Sequence, residues 1–190
     1  MDMVPIPSQT AGPFLHLGLT DTRCVPCIAG PKIKGERVWL TIKVSDGDGT
    51  PVDDAVLEIW QANADGKYKH PDDWQEKSIE ADWLGFGRMA TEQDGTCKFE
   101  TVRPGRVPGP GDRLQAPHLN LAIFARGMLR QLYTRIYFEG DPANSEDPVM
   151  GLIPPARRQT LLARRDGANP ERWRFEVYLQ GEQETVFFDV

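Results

Sequence analysis

The sequence predicts an all-β fold: a β-sandwich of mostly antiparallel strands, with one short peripheral helix and a proline-rich N-terminal arm. Three observations carry this expectation. Sixteen prolines and eighteen glycines interrupt the 190 residues at short intervals. Between them lie runs of β-branched and aromatic residues with period-two alternation. Turn pairs such as Asp46-Gly47 and Asp94-Gly95 stand where one run stops and another starts. The length suits a single domain over residues 1–190 with a proper core, residues 1–36 forming an irregular arm.

Taken in order, the arm contains Pro5, Pro7, Pro13, Pro26 and Pro31. Proline has no N–H to give to a ladder, so this stretch is expected to lie on another surface rather than within a central sheet. Residues 37–44 alternate cleanly as a strand and stop at Asp46-Gly47-Asp48-Gly49, with residues 55–62 expected as the hairpin partner. Residues 96–102 form the next strand after Asp94-Gly95. The short apolar run 119–124 reads as a buried strand, Arg126-Gly127 turns the chain, and 129–138 returns. A helix is predicted over 155–165, because Pro155 suits a first helical turn and Gly167 falls where a C-terminal cap belongs. Residues 173–179 and 184–188 are expected to pair across Gln180-Gly181-Glu182, and so many strands joined by short turns suggest a sandwich.

Twenty-eight acidic against 22 basic residues give a net charge of -6, which argues against nucleic acid or an anionic membrane as a partner. Met1-Asp2-Met3-Val4-Pro5 lacks the basic and apolar regions of a secretory signal, and no apolar run is long enough for a membrane span. A cytoplasmic location is therefore expected. Three cysteines suit a reducing compartment, and Cys24-Val25-Pro26-Cys27 has neither a second pair nor a βαβ context, so Cys24 and Cys27 read as ordinary loop residues.

Several chemistries are excluded by spacing. A calcium loop starting at Asp46 needs glycine at its sixth position and an acid at its twelfth, where Pro51 and Leu57 stand. His16, His70 and His118 are too few for multi-histidine zinc, and no H-E-x-x-H, G-x-S-x-G, Walker or dinucleotide fingerprint occurs. One stretch does suggest a metal strand. In Pro117-His118-Leu119-Asn120, positions 118 and 120 point to one face, so a second histidine would complete a pair of imidazoles. The residue there is Asn120, whose neutral amide oxygen is a poor substitute on a transition ion.

The segment Leu57-Glu58-Ile59-Trp60-Gln61-Ala62-Asn63-Ala64-Asp65-Gly66-Lys67-Tyr68, followed by Arg103-Pro104-Gly105 and then Ala116-Pro117-His118, resembles the protocatechuate 3,4-dioxygenase family of intradiol ring-cleaving enzymes. The resemblance runs from Pro7 to Val190. It implies that catalytic chains hold Fe(III) with two tyrosines and two histidines. Tyr68 matches the first tyrosine, Val107 stands at the second, His118 matches the first histidine and Asn120 replaces the second. Gln115 stands where an arginine is expected three residues before the first histidine. Phenolates are hard anionic donors that favour Fe(III), valine donates nothing and asparagine donates weakly, so no metal is expected in this chain.

That pattern is similar to the α-type chains of the family, which share the fold without the ion. Residues 7–14, Phe124-Ala125-Arg126-Gly127 and residues 181–190 resemble them as well. The resemblance implies an iron-bearing β subunit as partner in a larger αβ assembly, with Thr10, Gly12, Pro13 and Arg126 near the substrate pocket. Glycine there allows close approach of backbone to ligand, proline fixes the loop, and a guanidinium can pair with a benzoate carboxylate. It implies cleavage of protocatechuate with O2 to 3-carboxy-cis,cis-muconate at the partner's ferric site. Two other readings stay open on the residues alone: an enzyme acting as a single chain with other donors, and a non-enzymatic β-sandwich binding module with a vestigial site. Tyr68 and His118 then read as packed remnants able to hydrogen-bond to each other, and Trp39 and Trp60 as core or interface residues.

Overall fold

The structure is a computed structural model that describes residues 12–20 and 23–189. One α-helix, α1 (Pro13–Thr20), precedes ten strands among these residues. They are β1 (Arg37–Ser45), β2 (Val56–Trp60), β3 (Phe86–Ala90), β4 (Thr96–Val102), β5 (Val107–Pro108), β6 (Leu114–Gln115), β7 (His118–Phe124), β8 (Leu132–Phe138), β9 (Leu162–Arg165) and β10 (Arg172–Tyr178). Eight of them form one sheet in the order β3-β2-β7-β8-β9-β10-β1-β4, and β5 pairs with β6 apart from it.

Period-two alternation sends one face of each long strand inward. In β1 Val38, Leu40, Ile42 and Val44 are buried, and in β7 Leu119, Leu121 and Ile123. These residues share one core with Phe99 of β4, Phe175 and Val177 of β10, Ile59 of β2 and Phe138 of β8. The sheet therefore doubles over on itself, and β9 is the fold line. Leu162 and Ala163 run parallel to Tyr137 and Phe138 of β8, whereas Arg164 and Arg165 run antiparallel to Arg174 and Trp173 of β10. Each fully buried apolar side chain in this core stabilises the fold by about 1.5–3 kcal/mol relative to exposure.

The doubled sheet leaves β3 and β4 as free edges, and residues 25–29 close the gap between them. Val25 N–H donates to Arg88 O at 2.7 Å on β3, and Glu100 N–H of β4 donates to Pro26 O at 2.8 Å. Unpaired edge groups are thereby satisfied, and the sandwich approaches a barrel. Within the stretch expected to be irregular, α1 forms with Pro13 as its first residue and lies against β2 and β3.

Two pairings and one helix differ from expectation. Residues 55–62 are not the hairpin partner of β1, which pairs with β4 antiparallel and β10 parallel. After the turn, in which Asp46 Oδ1 accepts from the N–H groups of Asp48 and Thr50, only the bridge between Ser45 and Pro51 returns. Val52 N–H donates to Val44 O at 3.0 Å, and the chain then crosses to the other half. The predicted helix over 155–165 is a 3₁₀ helix over Pro155–Leu161 that passes straight into β9. Leu161 and Ala163 are both fully buried, and this alternate burial outweighs local helix propensity. Residues 184–188 do not form a strand against β10: Thr185 N–H bonds to Tyr178 O, but Phe188 then bridges to Tyr133 of β8. No helix among the described residues is long and apolar enough to cross a membrane.

Candidate functional site

The conspicuous motif after β2 is in large part a scaffold. Gln61 and Asn63 are fully buried, and a buried amide must be paired on both ends. Gln61 Nε2 donates to Val102 O at 3.0 Å, and its Oε1 accepts from Thr101 Oγ1 at 2.8 Å. Asn63 Oδ1 accepts from Asp65 N–H at 3.1 Å and Lys67 N–H at 2.9 Å, curling the backbone into a tight loop. The loop meets residues 104–106 with no room for side chains between them. A Cβ on Gly66, whose φ is +78°, would lie 2.0 Å from Arg106 O, and one on Gly105 would lie 2.5 Å from Ala64 O. This close crossing sets Tyr68 and Val107 on the same cavity.

That cavity, of about 590 Å³, is lined by Trp60, Tyr68, Trp74, Val107, Gln115 and neighbours. Tyr68 stacks on Trp60 with centroids 6.0 Å apart and planes 6° from parallel. Behind it stand the two strand residues. His118 is buried at 3 % exposure, and its Nδ1 lies 2.7 Å from Ala116 O. A carbonyl requires a donor, so Nδ1 carries the proton and Nε2 presents a lone pair to Tyr68 Oη, 3.5 Å away. Asn120 Nδ2 donates to Trp60 O at 3.3 Å and to Tyr68 Oη at 3.2 Å. Trp60 O thus fixes the amide so that N–H, not oxygen, faces the tyrosine.

The electrostatics follow from burial and one cation. Burial, and then the Arg135 charge, push His118 down to about 4, so the ring is neutral at pH 7. Burial raises Tyr68 above the ordinary phenol value, outweighing the Asn120 hydrogen bond and Arg135, which act the other way. Tyr68 is therefore a phenol that can donate to His118. Arg135 of β8 donates to Gln115 Oε1 at 2.6 Å and to Tyr137 Oη at 3.3 Å, while Gln115 Nε2 donates to Pro108 O at 2.7 Å. Tyr137, pushed up to about 12 chiefly by burial, donates in turn to Asp147 Oδ1 at 3.2 Å.

Tested against a ferric ion, this donor set does not fit. Tyr68 and His118 offer one oxygen and one nitrogen already directed at each other, Asn120 presents N–H, Val107 has no donor, and Gln115 Oε1 is held by a guanidinium. Among the described residues, no three His, Cys, Asp or Glu side chains gather so as to hold a metal.

The remaining candidates lie elsewhere. Thr10 falls outside the described residues, Gly12 and Pro13 stand at the start of α1, and Arg126 follows the far end of β7 from His118. Arg126 is 78 % exposed and pairs with Asp54 at 3.0 Å. Gly12 and Arg126 are not among the described residues that line the cavity beside Tyr68. Cys24 and Cys27 are free thiols that donate to Thr20 O and Ala29 O. Sequence reasoning missed Arg135, Tyr137 and Asp147. The signal that finds Arg135 is register, since it stands directly opposite Asn120.

Comparison with known proteins gives the family. Residues 11–181 match the family model described as Dioxygenase. The protocatechuate 3,4-dioxygenase alpha chain of Burkholderia cepacia is 41 % identical over 97 % of this chain and 96 % of its own length. The corresponding beta chain from the same organism is 34 % identical over 80 % of this chain and 67 % of its own. Among solved structures, the dioxygenase domain of a carbohydrate-binding fusion protein from Streptomyces sp. SirexAA-E superposes with a TM-score of 0.63 at 23 % identity, over 94 % of this chain and 99 % of that one. With a family match over most of its length and a relative at 41 % identity end to end, this chain belongs to the intradiol ring-cleavage dioxygenase family.

Proposed function

We propose that this chain is the α subunit of a protocatechuate 3,4-dioxygenase. In this reading it pairs with an iron-bearing β subunit in the cytoplasm, as one domain, and helps to form the pocket in which protocatechuate is cleaved with O2 to 3-carboxy-cis,cis-muconate. The observation that carries the reading is a conjunction. The chain is similar over nearly its full length to alpha chains of that enzyme, while its own candidate ligands are locked into hydrogen bonds that do not fit an ion.

The partner's ferric centre supplies the oxidative chemistry, and this chain's residues bind and orient. Arg126 is suited to that task. It projects from the turn after β7, pairs among the described residues with Asp54, and keeps the guanidinium geometry that matches a ring carboxylate. Among the described residues, nothing lies within 4 Å of where a Cβ on Gly12 would stand, and glycine there suits close approach of backbone to a ligand. Thr10 and Pro13 complete the proposed pocket edge from the arm.

The deciding experiment measures iron content, visible absorption and protocatechuate turnover of the chain purified alone and after co-expression with an iron-bearing β chain. Iron, tyrosinate-to-iron colour and activity only in the co-purified complex support the subunit reading. Iron and turnover in the lone chain overturn it. Within the complex, Arg126→Ala is expected to lower kcat/KM for protocatechuate roughly tenfold, the scale of one charge-assisted contact, with iron content unchanged. Thermal stability should move little, because an exposed ion pair contributes only about 0–1 kcal/mol. Unaltered kinetics would reduce Arg126 to a surface residue.

A further inference from the structure

Among the described residues, Arg135 is the cation whose charge acts on both Tyr68 and His118, and its placement is built rather than incidental. It stands opposite Asn120 across the antiparallel β7–β8 pair, where facing Cβ atoms are about 5 Å apart on the same side of the sheet. Gln115 Oε1 and Tyr137 Oη accept from its guanidinium. Tyr137 passes that contact on to Asp147, a carboxylate 2 % exposed. Among the described residues no carboxylate forms a direct ion pair with Arg135, so its compensating charge is reached through the tyrosine. The Phe188 ring, 6.0 Å from the guanidinium carbon, covers another side.

We infer that Arg135 is a built-in cation that takes the electrostatic place of a metal at this site, so that restoring the two missing donor side chains does not restore metal binding while Arg135 remains. Resting on the reading that this chain is a non-ligating subunit, the inference adds what keeps it so. Two physical effects act together. A guanidinium a few ångströms from a trivalent ion in a partly buried site repels it strongly, since low local polarizability leaves the charges poorly screened. A phenol introduced at position 107 would, once ionised, also find a ready counter-ion in Arg135 and be held as its ion pair instead of as a ligand. An imidazole at position 120 would stand directly across from the same guanidinium.

The test uses the protein as it purifies after co-expression with an iron-bearing intradiol chain. It compares native chain, the double variant Val107→Tyr/Asn120→His, and that double variant carrying Arg135→Gln or Arg135→Lys. Iron is counted per pair of chains, and tyrosinate-to-iron absorption is recorded. The double variant is expected to stay at about one iron per pair and the Arg135→Gln triple variant to rise to about two with a matching gain in absorption, while Arg135→Lys, which keeps the charge, stays at about one. Loading of the double variant with Arg135 in place overturns the inference, and so does a folded Arg135→Gln triple variant that stays at one. Should that variant fail to fold, Arg135→Met in the same background offers an uncharged side chain of similar length, read the same way. If no β chain co-purifies, the subunit reading fails, yet iron counts on the variants of this chain still decide the role of Arg135.

Discussion

Asp147→Ala is expected to cost the fold about 4 kcal/mol, measured as the difference in unfolding free energy from the native chain. The carboxylate is 2 % exposed and accepts from four donors. They are Ala116 N–H at 2.7 Å, Tyr137 Oη at 3.2 Å, Val149 N–H at 2.8 Å and Met150 N–H at 2.7 Å. Truncation leaves all four without their acceptor in a buried place, and each orphaned donor costs roughly 1–3 kcal/mol before relaxation and water recover part of it. The loss reaches the site as well. Ala116 lies two residues before His118, the first residue of β7, and Ala116 O is the acceptor that fixes the imidazole tautomer. Asp147→Asn keeps an acceptor oxygen but adds an N–H that these donors cannot satisfy, so an intermediate loss is expected. A change below about 1 kcal/mol for Asp147→Ala in urea unfolding would show that solvent replaces the carboxylate freely, contrary to its burial.

How much of this was legible in the sequence depends on which forces decide each feature. The strands containing residues 38–44, 96–102, 119–124 and 132–138 stand where period-two patterns put them, because inward residues such as Leu40, Phe99 and Leu121 write the burial directly into the alternation. Their partners were not legible. β1 has β4 and β10 as neighbours, and nothing local to residues 37–45 names a strand that lies far along the chain. β3 escaped notice because Phe-Gly-Arg-Met-Ala has no clear alternation, and Gly87 leaves room for the Ile28 side chain and the Val25 carbonyl. The grouping of Tyr68, Val107, Gln115, His118 and Asn120 came from family resemblance, and the cavity does gather Tyr68, Val107 and Gln115 on its wall with the other two behind. Arg135 and Asp147 were invisible for opposite reasons. Arg135 occupies a position that reads as the solvent face of an alternating strand, and only pairing with Asn120 turns it toward the site. Asp147 sits in a Glu-Asp-Pro stretch that reads as an exposed turn, yet the fold closes over it.

The neutral histidine in this network makes a pH-dependent prediction. His118 is held at about 4 in the folded chain by burial first and by Arg135 second, against an ordinary value of 6.5 when unfolded. Between these two values the unfolded chain takes up a proton that the folded chain refuses, so stability must fall as the pH drops through that window. The sign is that of a depressed basic group: the full contribution is present above pH 6.5 and is gone below about pH 4. A shift of this size corresponds to about 3 kcal/mol. Unfolding free energies of the native chain and of His118→Gln, compared from pH 7.5 to 4.5, isolate the group because every other titration is common to both. The native chain should lose its advantage over the variant steadily as the solution is acidified, with most of the change between pH 6.5 and the lower end. A gap that stays constant across the range would mean that His118 is hydrated and titrates as in the unfolded chain. That result would also mean that acidification removes the Tyr68 donation to Nε2, because an imidazolium keeps the Nδ1 donation to Ala116 O but carries a proton on Nε2 and cannot accept from Tyr68. The steep outcome instead ties three observations to one cause: a buried neutral ring, a phenol that donates to it, and a guanidinium nearby that makes a second positive charge costly.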